Sequence, residues 1–153
     1  MHIRAARPDE AGAISDLAVR SKAYWGYDED FLAGSRVQLA VGPDEVGRRR
    51  VTVAERDDGV VLGFYALEGD PPVGELSLMF VAPCHIRGGV GRRLFAHAVS
   101  TARDVGLTAF TIDSDPFAEA FYLTMGAVRT GEARSPIRAG RKLPRLTFTV
   151  SSS

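Results

Sequence analysis

Between Cys84 and Arg93 the chain reads CHIRGGVGRR, with three glycines (Gly88, Gly89 and Gly91) in four positions, flanked by Arg87, Arg92 and Arg93. Glycine lets the backbone turn tightly and leaves no side chain over its amides. A helix that starts straight after such a turn aims several free N–H groups and the positive end of its dipole at one spot. That combination suits phosphate; the alternative is a plain tight connection between a strand and a helix. Spacing excludes two other phosphate loops. Neither lysine follows a glycine, as a Walker loop requires, and Leu94 stands three residues after Gly91, where a dinucleotide fingerprint needs its third glycine.

The turn needs elements to hold it. Residues 75–81 (ELSLMFV) read as the strand that enters it, and residues 90–105 as the helix that leaves it, with Val90, Leu94, Ala98 and Ala102 along one stripe and Gly106 as its cap. Upstream, residues 2–5 are a short strand, and Pro8, Asp9 and Glu10 open a helix whose apolar side is Ile14, Leu17 and Ala18. Asp28 caps a second helix, expected from about Glu29 to Val41, with Phe31, Leu32 and Leu39 on its buried side and Gly42 and Pro43 as its stop. Residues 51–54 and 60–67 are two strands around ERDDG, whose Asp-Gly ending marks a hairpin. Residues 108–112 form a strand, 116–125 a short helix, and 128–131 and 145–150 the closing strands. The order β-α-α-β-β-β-α-β-α-β-β describes an α/β protein with one mixed sheet and helices on its faces.

At 153 residues, 45% hydrophobic and 25% charged, the chain is expected to form a single domain over residues 1–150, with 151–153 a frayed polar tail. Nineteen basic residues offset nineteen acidic ones, so no global field draws in nucleic acid or an anionic membrane. Only Lys22 and Lys142 are lysines; the arginine bias suits phosphate contacts but equally reflects genomic base composition. No apolar run is long enough to span a bilayer and the N-terminus lacks an apolar leader, so a cytoplasmic protein is expected. Cys84 has no partner for a disulfide, and with the three histidines it makes no metal-ligand spacing. Cys84 and His85 flank the turn, but neighbours in extended chain point apart, and both are read as structural.

The strand LSLMFVAP, the turn IRGGVG, the helix RRLFAHAV, the strand TAFTID and the segment DPFAEAFYLTMGA, in that order, resemble the core of the GCN5-related N-acetyltransferase (GNAT) family. The resemblance implies that Ile86, Arg87, Gly88, Gly89, Val90, Gly91 and Arg92 hold the pyrophosphate of acetyl-CoA through the backbone, although Ile86 stands where the family usually has Gln or Arg. It also implies a backbone donor to the thioester carbonyl at a bulge near Met79, Phe80 and Val81, and Asp115 at the position of an Asn that bonds the pantetheine arm. Phe121 and Tyr122 match the family's Ala-x-x-Phe-Tyr, where the tyrosine hydroxyl faces the sulfur and serves as acid; the alternative is a ring packed under the CoA arm.

Glu75 is the candidate base, or else a solvated residue at the strand start, and a regular strand puts Glu75, Ser77, Met79 and Val81 on one face. In the family, the loop between the first two helices walls the acceptor site. Here it is SKAYWGYD, whose Tyr24, Trp25 and Tyr27 can hold a cationic or aromatic amine with Asp28, Glu29 and Asp30 steering it; in the alternative, Trp25 pins the loop to the core and the acids serve the second helix. Residues 135–146 (SPIRAGRKLPRL) are expected to cover the same site, and Arg48 to Arg50 to be a solvated strand start or, alternatively, a CoA phosphate contact.

The implied activity is transfer of acetyl from acetyl-CoA to a primary amine of a small molecule, without a metal. The alternatives are a protein or peptide acetyltransferase, with an open groove behind Trp25, and a non-catalytic acyl-CoA sensor. A homodimer is compatible with the resemblance.

Overall fold

The computed structural model describes residues 1–86 and 88–150; Arg87 and the polar tail lie outside the described residues. Seven strands form one sheet in the order β1-β2-β3-β4-β5-β7-β6: β1 His2–Ala5, β2 Thr52–Glu55, β3 Val61–Glu68, β4 Val73–Val81, β5 Ala109–Asp113, β6 Val128–Arg134 and β7 Lys142–Thr149. Four helices complete the fold: α1 Ala11–Tyr24, α2 Glu29–Gln38, α3 Val90–Asp104 and α4 Glu119–Thr124. This is the element order the sequence predicts.

Alternation in β3 shows how the sheet divides its core. Phe64 and Ala66 join Ile14, Leu17 and Ala18 of α1 on one face, whereas Tyr65 and Leu67 join Leu94, Phe95 and Ala98 of α3 on the other. Each fully buried leucine, isoleucine or phenylalanine among them contributes about 1.5–3 kcal/mol. Gly63 lets α3 sit close, because a Cβ there would meet the Phe80 carbonyl at 2.8 Å and Leu94 at 3.0 Å. The buried Tyr65 hydroxyl is satisfied by His97 Nδ1 at 2.8 Å and Thr101 at 2.9 Å.

Boundaries differ from expectation in places. α2 ends at Gln38, three residues before Val41, although Leu39 and Val41 still bury. Asp28 caps it as predicted, accepting from the Phe31 amide at 2.8 Å. β2 runs from Thr52 to Glu55, one residue later than expected, while β6 and β7 are longer than predicted and form a hairpin that closes at residues 135–141. The added end of β6 carries Glu132 and Arg134, and that of β7 carries Lys142 and a proline, Pro144, which weaken the strand signal.

Three charged groups tie β1 to its surroundings. Arg4 donates to both oxygens of Glu10 at 2.9 Å and to Glu55 at 2.9 Å. The Arg4 guanidinium pulls the Glu10 carboxyl from 4.5 down to about 2, more than its partial burial raises it. A depressed carboxyl stabilises the fold above its unfolded pKa, and the stabilisation fades as pH falls toward the folded value. Glu10→Gln is therefore expected to lower stability by roughly 1 kcal/mol at neutral pH, after solvent screening, and to flatten the loss between about pH 4.5 and about pH 2. Urea unfolding across that range checks it; parallel curves for the two proteins would refute it.

Candidate active site

β4 and β5 are parallel and pair at three positions, Val73 with Ala109, Gly74 with Phe110 and Glu75 with Thr111. Beyond Glu75, β4 stays with β3 and β5 stays with β7, so the two strands part. The gap opens a cavity of about 630 Å³, the size of a small-molecule site. Its walls include Met79, Phe80, Val81, Ile86, Gly91, Asp115, Phe121 and Tyr122, together with Ser21, Lys22, Trp25, Arg49, Glu68 and Glu75.

The predicted bulge is present but lies earlier than Met79 to Val81. Leu67 pairs with Leu76 and Ala66 with Leu78, which leaves Ser77 as the extra residue. Leu76 accordingly joins the α3-side core and Leu78 the α1-side core, though regular alternation would put them together. Glu75 thus does not share a regular face with Met79 and Val81, which pack against the α3-side core.

At one end of the cleft, Gly89 is the residue before α3, at φ +83°, with no side-chain cap among the described residues. A Cβ on Gly89 would meet nothing within 4 Å, whereas one on Gly91 would come within 3.5 Å of Phe121 and 3.6 Å of Met79. The residues thus present uncapped amides beside open space, which fits a phosphate group. Gly88, Gly89 and Arg92 are exposed and Val90 is buried beneath the first turn of α3.

The Tyr122 ring is buried at 6% exposure and packs edge-on to Phe121 at 5.3 Å and against Phe95 at 6.0 Å. Its hydroxyl has no hydrogen-bond partner among the described residues, and burial, then the Asp115 charge, pushes the phenol above its ordinary range. It is a protonated donor at any physiological pH.

Glu75 stands opposite Glu68 on β3, an unfavourable like-charge pair. Glu68 is matched by Arg49 Nε at 3.0 Å, and Asp113 by Arg145 at 2.7 Å; Glu75 has no ion pair or hydrogen bond among the described residues. Desolvation within the cleft wall, with the Asp113 and Glu68 charges, raises its pKa above the usual carboxylate value.

The model for the acetyltransferase (GNAT) domain matches residues 42–136, more than half of the chain. The chain belongs to the GNAT family. Nothing among the curated proteins matches it in sequence. Among solved structures, a GCN5-related N-acetyltransferase from Rhodopseudomonas palustris is 21% identical, with TM-score 0.79 over 97% of this chain and 94% of that one. The PaiA N-acetyltransferase from Thermoplasma acidophilum, solved with coenzyme A, is 15% identical with TM-score 0.79 over 97% and 98%. An aminoglycoside 6'-N-acetyltransferase, also with coenzyme A, is 15% identical with TM-score 0.74 over 99% and 98%. At these identities the likeness is one of fold.

In this GNAT domain the Asp115 carboxylate is bound within the protein. Its oxygens meet Lys22 Nζ at 2.7 Å, the Tyr27 hydroxyl at 2.9 and 3.1 Å, and the Phe117 amide at 2.9 Å. Burial favours protonation of Asp115, but the Lys22 charge and these hydrogen bonds outweigh it and hold the group below the usual range. Burial, then the Asp115 charge, pushes Tyr27 up to about 12.

Trp25 does not pin the α1–α2 loop to the core. Trp25 is 38% exposed and stacks at 5.0 Å on Phe117, itself 53% exposed, with the edge of Tyr24 at 4.9 Å. Trp25 and Phe117 line the cleft, whereas Tyr24 and Tyr27 do not. Asp28, predicted to steer an amine, is taken by Arg138 at 2.9 Å as well as by its capping bond.

Arg49 is not solvated. Its side chain is 13% exposed, reaches Glu68, and lies 3.4 Å from Ser77 Oγ, on the cleft wall beside Glu75 and away from the glycine turn. Arg49, Lys22 and Phe117 are site residues that sequence reasoning missed. Buried Lys22 had one available signal, its rarity as one of two lysines. Cys84 and His85 do not line the cleft. Among the described residues, no cluster of three or more His, Cys, Asp or Glu side chains could hold a metal, and no helix is long and apolar enough to cross a membrane.

Proposed function

We propose that residues 1–150 of this GNAT domain act as one unit that acetylates a primary amine of a small molecule, with acetyl-CoA as the donor. The observation that carries the reading is that one cleft joins the glycine turn to a carboxylate, Glu75, and a phenol, Tyr122, neither of which has a hydrogen-bond or ion-pair partner among the described residues. Acetyl-CoA supplies the thioester: the amine nitrogen forms the new N–C bond, the C–S bond breaks, the amine gives up a proton and the sulfur takes one.

The chain's own groups fit each need. The turn amides of residues 88–92, with Ile86, hold the pyrophosphate, and Arg87 belongs to the same proposal. Phe121 and Met79 pack beside Gly91 under the pantetheine arm, next to Asp115. A backbone N–H on the side of Met79, Phe80 and Val81 that no longer faces β5, their other side being paired with β3, hydrogen-bonds the thioester carbonyl. Tyr122 donates to the departing sulfur, and Glu75 takes the amine proton directly or through water. Trp25 and Phe117 form the acceptor-side wall and contact the acceptor, while Tyr24 packs on Trp25 and Tyr27 on Phe117 outside the cleft lining.

A closed acceptor side supports a small molecule over a protein substrate. Ile137, from the β6–β7 loop, packs so close to Gly34 of α2 that a Cβ there would meet it at 3.0 Å, and the Arg138–Asp28 pair fastens the same loop.

CoA-thiol release across a panel of small amines and peptides tests the proposal, and release with peptides alone would overturn the small-molecule reading. Glu75→Gln is expected to lower kcat/KM about 10- to 100-fold and to remove the rate limb that rises as the Glu75 carboxyl deprotonates. An unchanged pH profile would assign the proton to another acceptor.

A further inference from the structure

Arg141, in the β6–β7 loop, is built into the acceptor side of the cleft more firmly than a surface arginine. Its side chain is 19% exposed, and its guanidinium carbon lies 4.7 Å from the Phe31 ring and 5.0 Å from the Tyr27 ring, which stack on each other at 4.1 Å. Nη2 donates to the Tyr27 hydroxyl at 2.6 Å and lies 4.0 Å from Asp115 Oδ2. Nε and Nη1 have no hydrogen-bond partner among the described residues, and Arg141 lines the cleft. The rings hold the guanidinium plane while two of its donor atoms stay unused, the arrangement that recognises a planar anion.

The charges around it do not cancel. Lys22 at 2.7 Å already neutralises Asp115, so Lys22, Asp115 and Arg141 together carry one surplus positive charge. Arg134, which also lines the cleft and has no partner among the described residues, adds another. On the β4 wall, Arg49 matches Glu68 and Arg145 matches Asp113, so Glu75 is left as one surplus negative charge. The cleft thus has two unmatched cations, Arg141 and Arg134, on the β6–β7 side and one unmatched carboxylate on the β4 side.

We propose that the acceptor is an amino acid or a closely related amino-carboxylic acid, with its carboxylate on Arg141 and its amine facing Glu75. This rests on the amine-acetylation reading above. A phosphate of acetyl-CoA could satisfy the same donors, but Arg141 stacks on residues of α2 and its leading loop, whereas the glycine turn precedes α3.

The test compares thioester consumption with the standard L-amino acids, their decarboxylated amines and their amides, alongside calorimetry with acetyl-CoA alone. At least one amino acid is expected to outpace its decarboxylated and amide counterparts by about 30-fold in kcat/KM, and Arg141→Met to collapse that ratio toward one, chiefly through KM for the amino acid. Arg141→Lys, which keeps the charge without the planar fork, is expected to restore part of the preference. Amines acetylated with no preference for a carboxylate would overturn this inference and leave amine acetylation standing. Arg141→Met that weakens acetyl-CoA binding and spares the preference would assign Arg141 to the cosubstrate. Bound acetyl-CoA with no turnover of any compound in the three sets would overturn the inference together with the small-molecule reading.

Discussion

Tyr122→Phe is expected to lower kcat by roughly 100-fold with little change in the acetyl-CoA Kd. The substitution is a clean probe because the ring, packed on Phe95 and Phe121, stays in place and the lost hydroxyl has no hydrogen-bond partner among the described residues to orphan. Stability should hardly move. The phenol is held protonated by burial and by Asp115, so the wild-type enzyme should show no rate limb from Tyr122 in the physiological range. Single-turnover kinetics with calorimetry separates the two quantities. Unchanged turnover would reduce Tyr122 to a packing residue under the CoA arm; a matching fall in affinity would make it a binding group.

The second large effect is expected at the turn. Gly89→Glu should weaken acetyl-CoA binding by about 100-fold or more, because a carboxylate would occupy the open space beside the uncapped amides and repel the pyrophosphate. The residue must also keep φ near +83°, which costs a side chain roughly 1–2 kcal/mol. Gly89→Ala carries the same backbone strain without the charge and should bind far better than Gly89→Glu. Equal losses in the two variants would trace the effect to strain, and Gly89→Glu binding like wild type would mean that the cradle lies elsewhere.

The order of strands and helices was legible because local features encode it. Asp28 as a cap, the Asp-Gly turn before Val60 and Gly106 after α3 all act within a few residues of themselves, and each is found in its expected place. The glycine turn and the Phe121-Tyr122 pair were legible for the same reason. The polar frame of the cleft was not. Lys22 meets Asp115 across 93 positions of sequence, and Arg141 meets Tyr27 across 114, distances over which charge pattern says nothing. Nor could ELSLMFV disclose its bulge: Leu76 and Leu78 look like one apolar face, and only their division between two cores reveals Ser77 as the extra residue. Arg49 looked solvated among three arginines because nothing in RRR marks which one turns inward.

The three-pair seam between β4 and β5 has a mechanical meaning. Four strands lie on one side of it and three on the other, so the sheet is two plates stitched along a short length and open over the rest. A ligand seated in that opening braces both plates at once, adding RT ln(1 + [L]/Kd) to the cohesion of the whole. Occupancy and rigidity are then one variable: the seam is short beside the proposed site, and a loaded cleft stiffens it there.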